Sequence, residues 1–131
     1  MIEEWLVSRL DAVEELGQRV YPVAVCVDDV SAPMAIYRQR PGEAVRDLSG
    51  EIHHRADNWH IVLLGKDYAQ LCRIESAVWE SIEENSNLDT GYGAYLFSAE
   101  CYIPEDDGFS LDTQLISKTV GCTLRWCGTG E

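Results

Sequence analysis

The 131-residue chain is 46% hydrophobic and 25% charged, and at this length it buries roughly two-thirds of its unfolded surface, so neither a disordered tail nor a disulfide-dependent miniprotein is expected. Ten Lys and Arg against 23 Asp and Glu give a formal charge of −13, a field that repels phosphate backbones and anionic headgroups and argues against direct nucleic-acid or membrane partners. Five cysteines, Cys26, Cys72, Cys101, Cys122 and Cys127, are odd in number and contain no C-x-x-C pair, which fits buried thiols in a reducing compartment better than zinc or a secreted disulfide framework.

No basic segment followed by an apolar stretch opens the chain, and no apolar run approaches about 18 residues, so neither a classical secretion signal nor a membrane span is expected. Residues 2–16 place Ile2, Trp5, Leu6, Leu10, Val13 and Leu16 at helical spacing, with Gly17 as a stop. From Val20 the pattern turns β-branched and aromatic. Strands are expected at Val23–Val27 and Met34–Arg40, separated by Asp28-Asp29, with Pro41-Gly42 ending the second. The polar stretch from Pro41 to Gly50 reads as a long exposed loop, a place where function concentrates.

Ile52–Leu64 reads as the longest strand. Asp67 and Gln70 resemble a capping box that opens a second helix through Tyr68, Leu71, Ile74, Val78 and Ile82, ending near Asn85. After a connection containing Gly91-Tyr92-Gly93, the strand Leu96–Ile103 alternates, with Phe97, Ala99, Cys101 and Ile103 on one side. Pro104 to Asp107 with Gly108 forms an acidic turn, and residues 115–127 form a last strand with Ile116, Val120, Cys122, Leu124 and Trp126 on one face. The whole is a single α+β domain over residues 1–131: a mostly antiparallel sheet of about four to five strands packed against two amphipathic helices.

Chemistry is hard to assemble from these residues. Adjacent His53 and His54 point to opposite faces of a strand, while His54 and His60 share a face but lie about 20 Å apart at roughly 3.3 Å per residue, so no metal site is expected. Cys122 and Cys127 differ by an odd number of positions and face opposite sides, and no histidine stands near to make a thiolate. No Walker loop, nucleophile elbow or dinucleotide fingerprint occurs. The carboxylates Glu105, Asp106 and Asp107 lack calcium-loop spacing. No enzyme and no cofactor are expected.

The order of segments does resemble a known family. Arg19-Val20-Tyr21-Pro22, then Ala32-Pro33-Met34-Ala35-Ile36-Tyr37-Arg38, a polar loop ending Leu48-Ser49-Gly50, a long strand and Tyr68-Ala69-Gln70-Leu71 opening a helix resemble the phage tail-completion or tail-terminator proteins, over about residues 1–127. The resemblance implies a structural subunit of a phage or prophage virion, assembled in the bacterial host cytoplasm. It implies a self-assembled ring, often a hexamer in that family, on the end of the tail tube, with the tail-tube protein and a head-completion or connector protein as partners. The polar His53-His54-Arg55 segment, the long Ser86 to Tyr95 connection and the cysteine content depart from the pattern.

Interface residues are expected in the exposed charged segments, at Glu43, Arg46 and Asp47 and at Glu105, Asp106, Asp107 and Phe109, with Trp59 as a possible anchor. The alternative reading is a non-catalytic α+β module that binds a protein or small ligand in a cleft between sheet and helices.

Overall fold

A computed structural model of the chain describes residues 2–22, 33–46, 52–83, 85–104 and 116–128, without the side chains of 43–46, 52 and 53. The apolar spacing at the start of the chain forms α1, Ile2–Asp11, which buries Ile2, Trp5, Leu6 and Leu10. The helix stops before residue 16. The chain instead makes a 3-10 turn at Glu14–Leu16 and leaves it through Gly17 at φ 55°, a left-handed conformation that a residue without Cβ reaches freely. Val13 and Leu16 are still buried, so one continuous apolar stripe is shared by a helix and a tighter turn.

Six strands follow: β1 Val20–Pro22, β2 Met34–Arg46, β3 Ile52–Gly65, β4 Ser86–Asp89, β5 Ala94–Tyr102 and β6 Ile116–Gly128, with α2 Tyr68–Glu83 between β3 and β4. They form one mixed sheet in the order β1-β2-β3-β6-β5-β4. β1 runs parallel to β2, and every other pair is antiparallel. The α+β class is as expected, but the sheet has six strands where four to five were expected. The strand expected at Val23–Val27 lies outside the described residues, and β4 arises inside what read as a plain connection.

Strand parity sorts the side chains into two layers. Ala35 and Tyr37 of β2, Trp59, Ile61 and Leu63 of β3, Val120, Cys122, Leu124 and Trp126 of β6, and Ala94, Leu96 and Ala99 of β5 share one core cluster with α1 and α2. α2 contributes Leu71, Ile74, Val78 and Ile82 to it, each contributing roughly 1.5–3 kcal/mol by leaving water. Its start is fixed by Asp67, whose side-chain oxygen accepts the Ala69 N–H at 3.0 Å. The opposite face carries a smaller cluster of Met34, Val62 and Leu64, against which Tyr21 and Ile36 pack.

Two irregularities depart from simple alternation. Pro41-Gly42 does not end β2, because the strand continues to Arg46; the register steps from Arg40↔Asn58 to Glu43↔Ala56, so Pro41 and Gly42 together stand opposite Asp57. The bulge absorbs a proline that has no N–H to give, and a Cβ at Gly42 would run into the Ala56 carbonyl oxygen. The region expected as a loop from Pro41 is therefore strand up to Arg46. In β5 the register shifts between Leu96 and Ser98, which keeps Leu96 and Ala99 on the helix side and puts Phe97 against His54 and Tyr95, at ring distances of 5.7 and 5.3 Å. Phe97 therefore does not share a face with Ala99 and Cys101, and Ile103 is 72% exposed.

On the face away from the helices the Tyr102 ring lies over Gly121, its cross-strand partner, so closely that a Cβ at position 121 would collide with it. The same ring meets His60 edge-on at 6.2 Å. Gly121→Ala is therefore expected to cost about 1–3 kcal/mol of stability in urea unfolding, the usual range for overpacking. Most of that cost should vanish when Tyr102→Ala is present too, and equal costs in both backgrounds would refute the packing account.

Candidate functional site

The segments expected to carry the interface leave the sheet at opposite ends. β2 and β3 are joined beyond Arg46 and Ile52, beside the Trp126 end of β6, whereas β5 and β6 are joined beyond Tyr102 and Ile116, beside Gly65. A strand from Ile52 to Gly65 spans roughly 40 Å. Glu43 and Arg46 lie in the last part of β2, and their side chains are outside the description. Asp47, Glu105, Asp106, Asp107 and Phe109 lie outside the described residues. Trp59, considered as an anchor, is core: it is 3% exposed and packs in the helix-side cluster, 6.0 Å from the Tyr37 ring.

A cleft of about 260 Å³ opens where the first turn of α1 meets the sheet, lined by Ile2, Glu3, Gln39, Arg55, Asp57, Trp59 and Trp126. Its two indoles are treated differently. Trp126 donates its Nε1–H to Asp57 at 2.8 Å, which lets a large ring be buried without stranding its polar edge. The Trp59 Nε1–H is buried and has no hydrogen-bond partner among the described residues; a buried donor left unpaired costs about 1–3 kcal/mol. Sequence alternation placed both tryptophans on strands but held no signal for this difference, which depends on Asp57 standing beside β6 while Gln39 stands opposite Trp59.

A second recess, about 300 Å³, lies on the other face around the β2 bulge, lined by Pro41, Gly42, Ala56, Asn58, Thr123 and Arg125. Asn58 holds it together: its Nδ2 donates to the Pro41 carbonyl at 2.8 Å, and its Oδ1 accepts from the Thr123 hydroxyl at 2.7 Å. The amide is thereby satisfied within the sheet, so its groups serve the bulge rather than a ligand.

His54 and His60 both lie on β3, each against an aromatic ring. Among the described residues no group of three His, Cys, Asp or Glu is placed to hold a metal ion, and no helix is long and apolar enough to cross a membrane. Lys118 pairs with Glu75 at 3.3 Å and lies 5.4 Å from the centre of the Tyr68 ring. That pair ties β6 to α2 and leaves neither group spare.

The cysteines yield one arrangement that spacing alone missed. Cys101 and Cys122 are direct cross-strand partners, both toward the helices. Burial, with a smaller contribution from Glu83, pushes the Cys101 thiol up to about 12. Burial raises Cys122 further still, with Cys101 adding to it. Thiols that hold their protons so firmly are poor nucleophiles near neutral pH.

Neither a known protein-family model nor a curated protein matches the chain.

The buried thiols make stability depend on alkalinity. Their reference value is 9.0, whereas the folded thiols keep their protons to higher pH. Above about pH 9 the unfolded chain therefore releases protons that the folded chain retains, and stability falls as pH rises. Tyr37 and Tyr102 add to the loss above about 10, since burial raises both. Urea midpoints should drop steadily from pH 8 to 10.5, and Cys122→Ala should flatten the part of that drop below pH 10. An unchanged slope in the variant would contradict the assignment.

Proposed function

We propose that the chain is a structural subunit of a phage or prophage virion, a tail-completion or tail-terminator protein that forms a ring at the end of the tail tube and joins tail to head. The observation that carries this reading is the ordered resemblance, whose segments fall on successive elements: Arg19-Val20-Tyr21-Pro22 runs into β1, Met34 to Arg38 opens β2, and Tyr68-Ala69-Gln70-Leu71 is the first turn of α2. The sheet supports a mechanism for it. The two connections start from opposite ends of one sheet, so each is available to a different neighbour. In a ring the contact is heterologous, one patch of a subunit against a different patch of the next.

Within this reading Arg46 at one end faces the acidic turn of Glu105, Asp106 and Asp107 of the adjacent copy, and the remaining ring surfaces meet the tail-tube protein and the head-completion or connector protein. Such exposed charges set orientation and register more than affinity. No bond is made or broken, and the virion is the place of action. Genes for a portal, a head-completion protein and a major tail protein beside this one would support the reading.

Simultaneous charge reversal at Glu105, Asp106 and Asp107 is expected to leave the far-UV spectrum and melting temperature of the monomer unchanged. It should shift the particle from ring to monomer in light scattering and lower the yield of infectious particles. Undiminished assembly and yield would rule out the turn as the contact, and a wild-type chain that stays monomeric at every concentration would rule out the ring.

A second reading, a monomeric module that binds a protein or small ligand, is favoured by the cleft at the start of α1, whose buried Trp59 N–H has no partner among the described residues. It predicts thermal stabilisation of a monomer on ligand binding, together with a shift of the Trp59 indole proton resonance. Neither change is expected of a ring subunit titrated with small ligands.

A further inference from the structure

We propose that Cys101 and Cys122 form a disulfide site, which staples β5 to β6 when the folded protein meets a low-molecular-weight disulfide oxidant. The two residues stand directly opposite in an antiparallel pair. Opposed residues in such a ladder have Cα atoms about 4.5 or 5.5 Å apart, and both values fall inside the roughly 4.4–6.8 Å that a disulfide spans. Their side chains share the helix-side face, Cys122 within the core cluster and Cys101 packed against it. The Cys101 Sγ lies 3.9 Å from the Trp79 carbonyl oxygen, under α2, so the pair sits where strand and helix layers meet.

The other cysteines lack this placement. Cys127 stands opposite Tyr95 and, five positions from Cys122, points to the other face of β6. Cys72 is on α2, and Cys26 lies outside the described residues. Both members of the proposed pair are free thiols.

The exchange runs in two steps. The Cys101 thiolate, the more exposed of the two, attacks one sulfur of the oxidant; the oxidant's S–S bond breaks and one thiolate leaves. The Cys122 thiolate then attacks Cys101 Sγ, the mixed disulfide breaks, and the second oxidant thiolate departs. The protein loses two hydrogens, and the oxidant is reduced to two thiols, which take up the protons. Because burial holds both protein thiols protonated, the thiolates are scarce, and the reaction is slow near neutral pH and faster as pH rises. A reducing cytoplasm therefore leaves the pair open, and an oxidising exterior closes it.

The staple joins the two strands from which residues 103–115 depart, Cys101 standing one residue before the end of β5. It restrains the base of the segment that carries Glu105, Asp106, Asp107 and Phe109. The bond itself does not depend on the assembly reading.

The full chain, incubated with oxidised glutathione at pH 8.5, is to be alkylated under denaturing conditions and mapped by peptide mass spectrometry without reduction. The expected product is a folded protein whose chain is about 2 Da lighter, with one peptide pair joined through Cys101 and Cys122 of the same chain and a melting temperature higher on the order of 5–10 °C. Dithiothreitol should reverse both changes. The triple variant Cys26→Ser, Cys72→Ser, Cys127→Ser should cross-link as the parent does, and Cys101→Ser should not form the bond. Recovery of both cysteines fully alkylated, or their capture in other pairs, would overturn the site. A cross-link that leaves the melting temperature unchanged would overturn the stapling role.

Discussion

From Arg55↔Trp126 to Gly65↔Ile116 the antiparallel register of β3 on β6 runs without a break, and the rest of the molecule is built outward from it. A slip of one residue would turn Trp59, Ile61 and Leu63, or Val120, Cys122 and Leu124, away from α1 and α2. The helices would then lose the surface they cover. The flanking pairs tolerate irregularity because this central pair does not: β2 carries its bulge at Pro41-Gly42 and β5 its shift at Phe97, each one strand away from the uninterrupted ladder. β1 and β4 at the edges are short, which limits the unpaired backbone offered to unwanted partners.

The β5 shift sits where interior side chains would otherwise be lost. Without the shift at Phe97, strict alternation from Leu96 would put Ala99 and Cys101 on the face away from the helices. With it, Leu96 pairs with Trp126 and Ala99 with Leu124, all on the helix side. The displaced ring of Phe97 finds His54 and Tyr95 instead. Tyr102 over Gly121 follows the same logic, since a missing side chain on β6 makes room for a ring from β5.

The long strand β3, the helix α2 with its Asp67 cap and the faces of β6 were all legible, because long amphipathic patterns outlast local exceptions. The end of α1 was not, since Val13 and Leu16 keep helical spacing in a turn that is not α-helical. Pro41-Gly42 misled for a definable reason: the pair is a strong turn signal, yet the Asn58 amide captures the Pro41 carbonyl and Ala56 lies against Gly42, so the strand carries on through it. Reading Trp59 as an anchor failed because large apolar rings suit interfaces and interiors alike, and only the presence of α1 and Tyr37 over β3 decides between them. Parity within β6 separated Cys122 from Cys127 correctly, but parity says nothing about which residue of another strand lies opposite. The Cys101↔Cys122 pair depends on that cross-strand register, and the register depends in turn on the β5 bulge.

The same register bears on how a subunit of this shape would meet its neighbours. α1 and α2 close one face over a continuous apolar cluster, and in the bulge recess on the other face the Asn58 amide is held by the Pro41 carbonyl and the Thr123 hydroxyl. The β2–β3 and β5–β6 connections depart from opposite ends of the sheet, on either side of the unbroken β3–β6 ladder. A formal charge of −13 makes copies of the chain repel one another at long range.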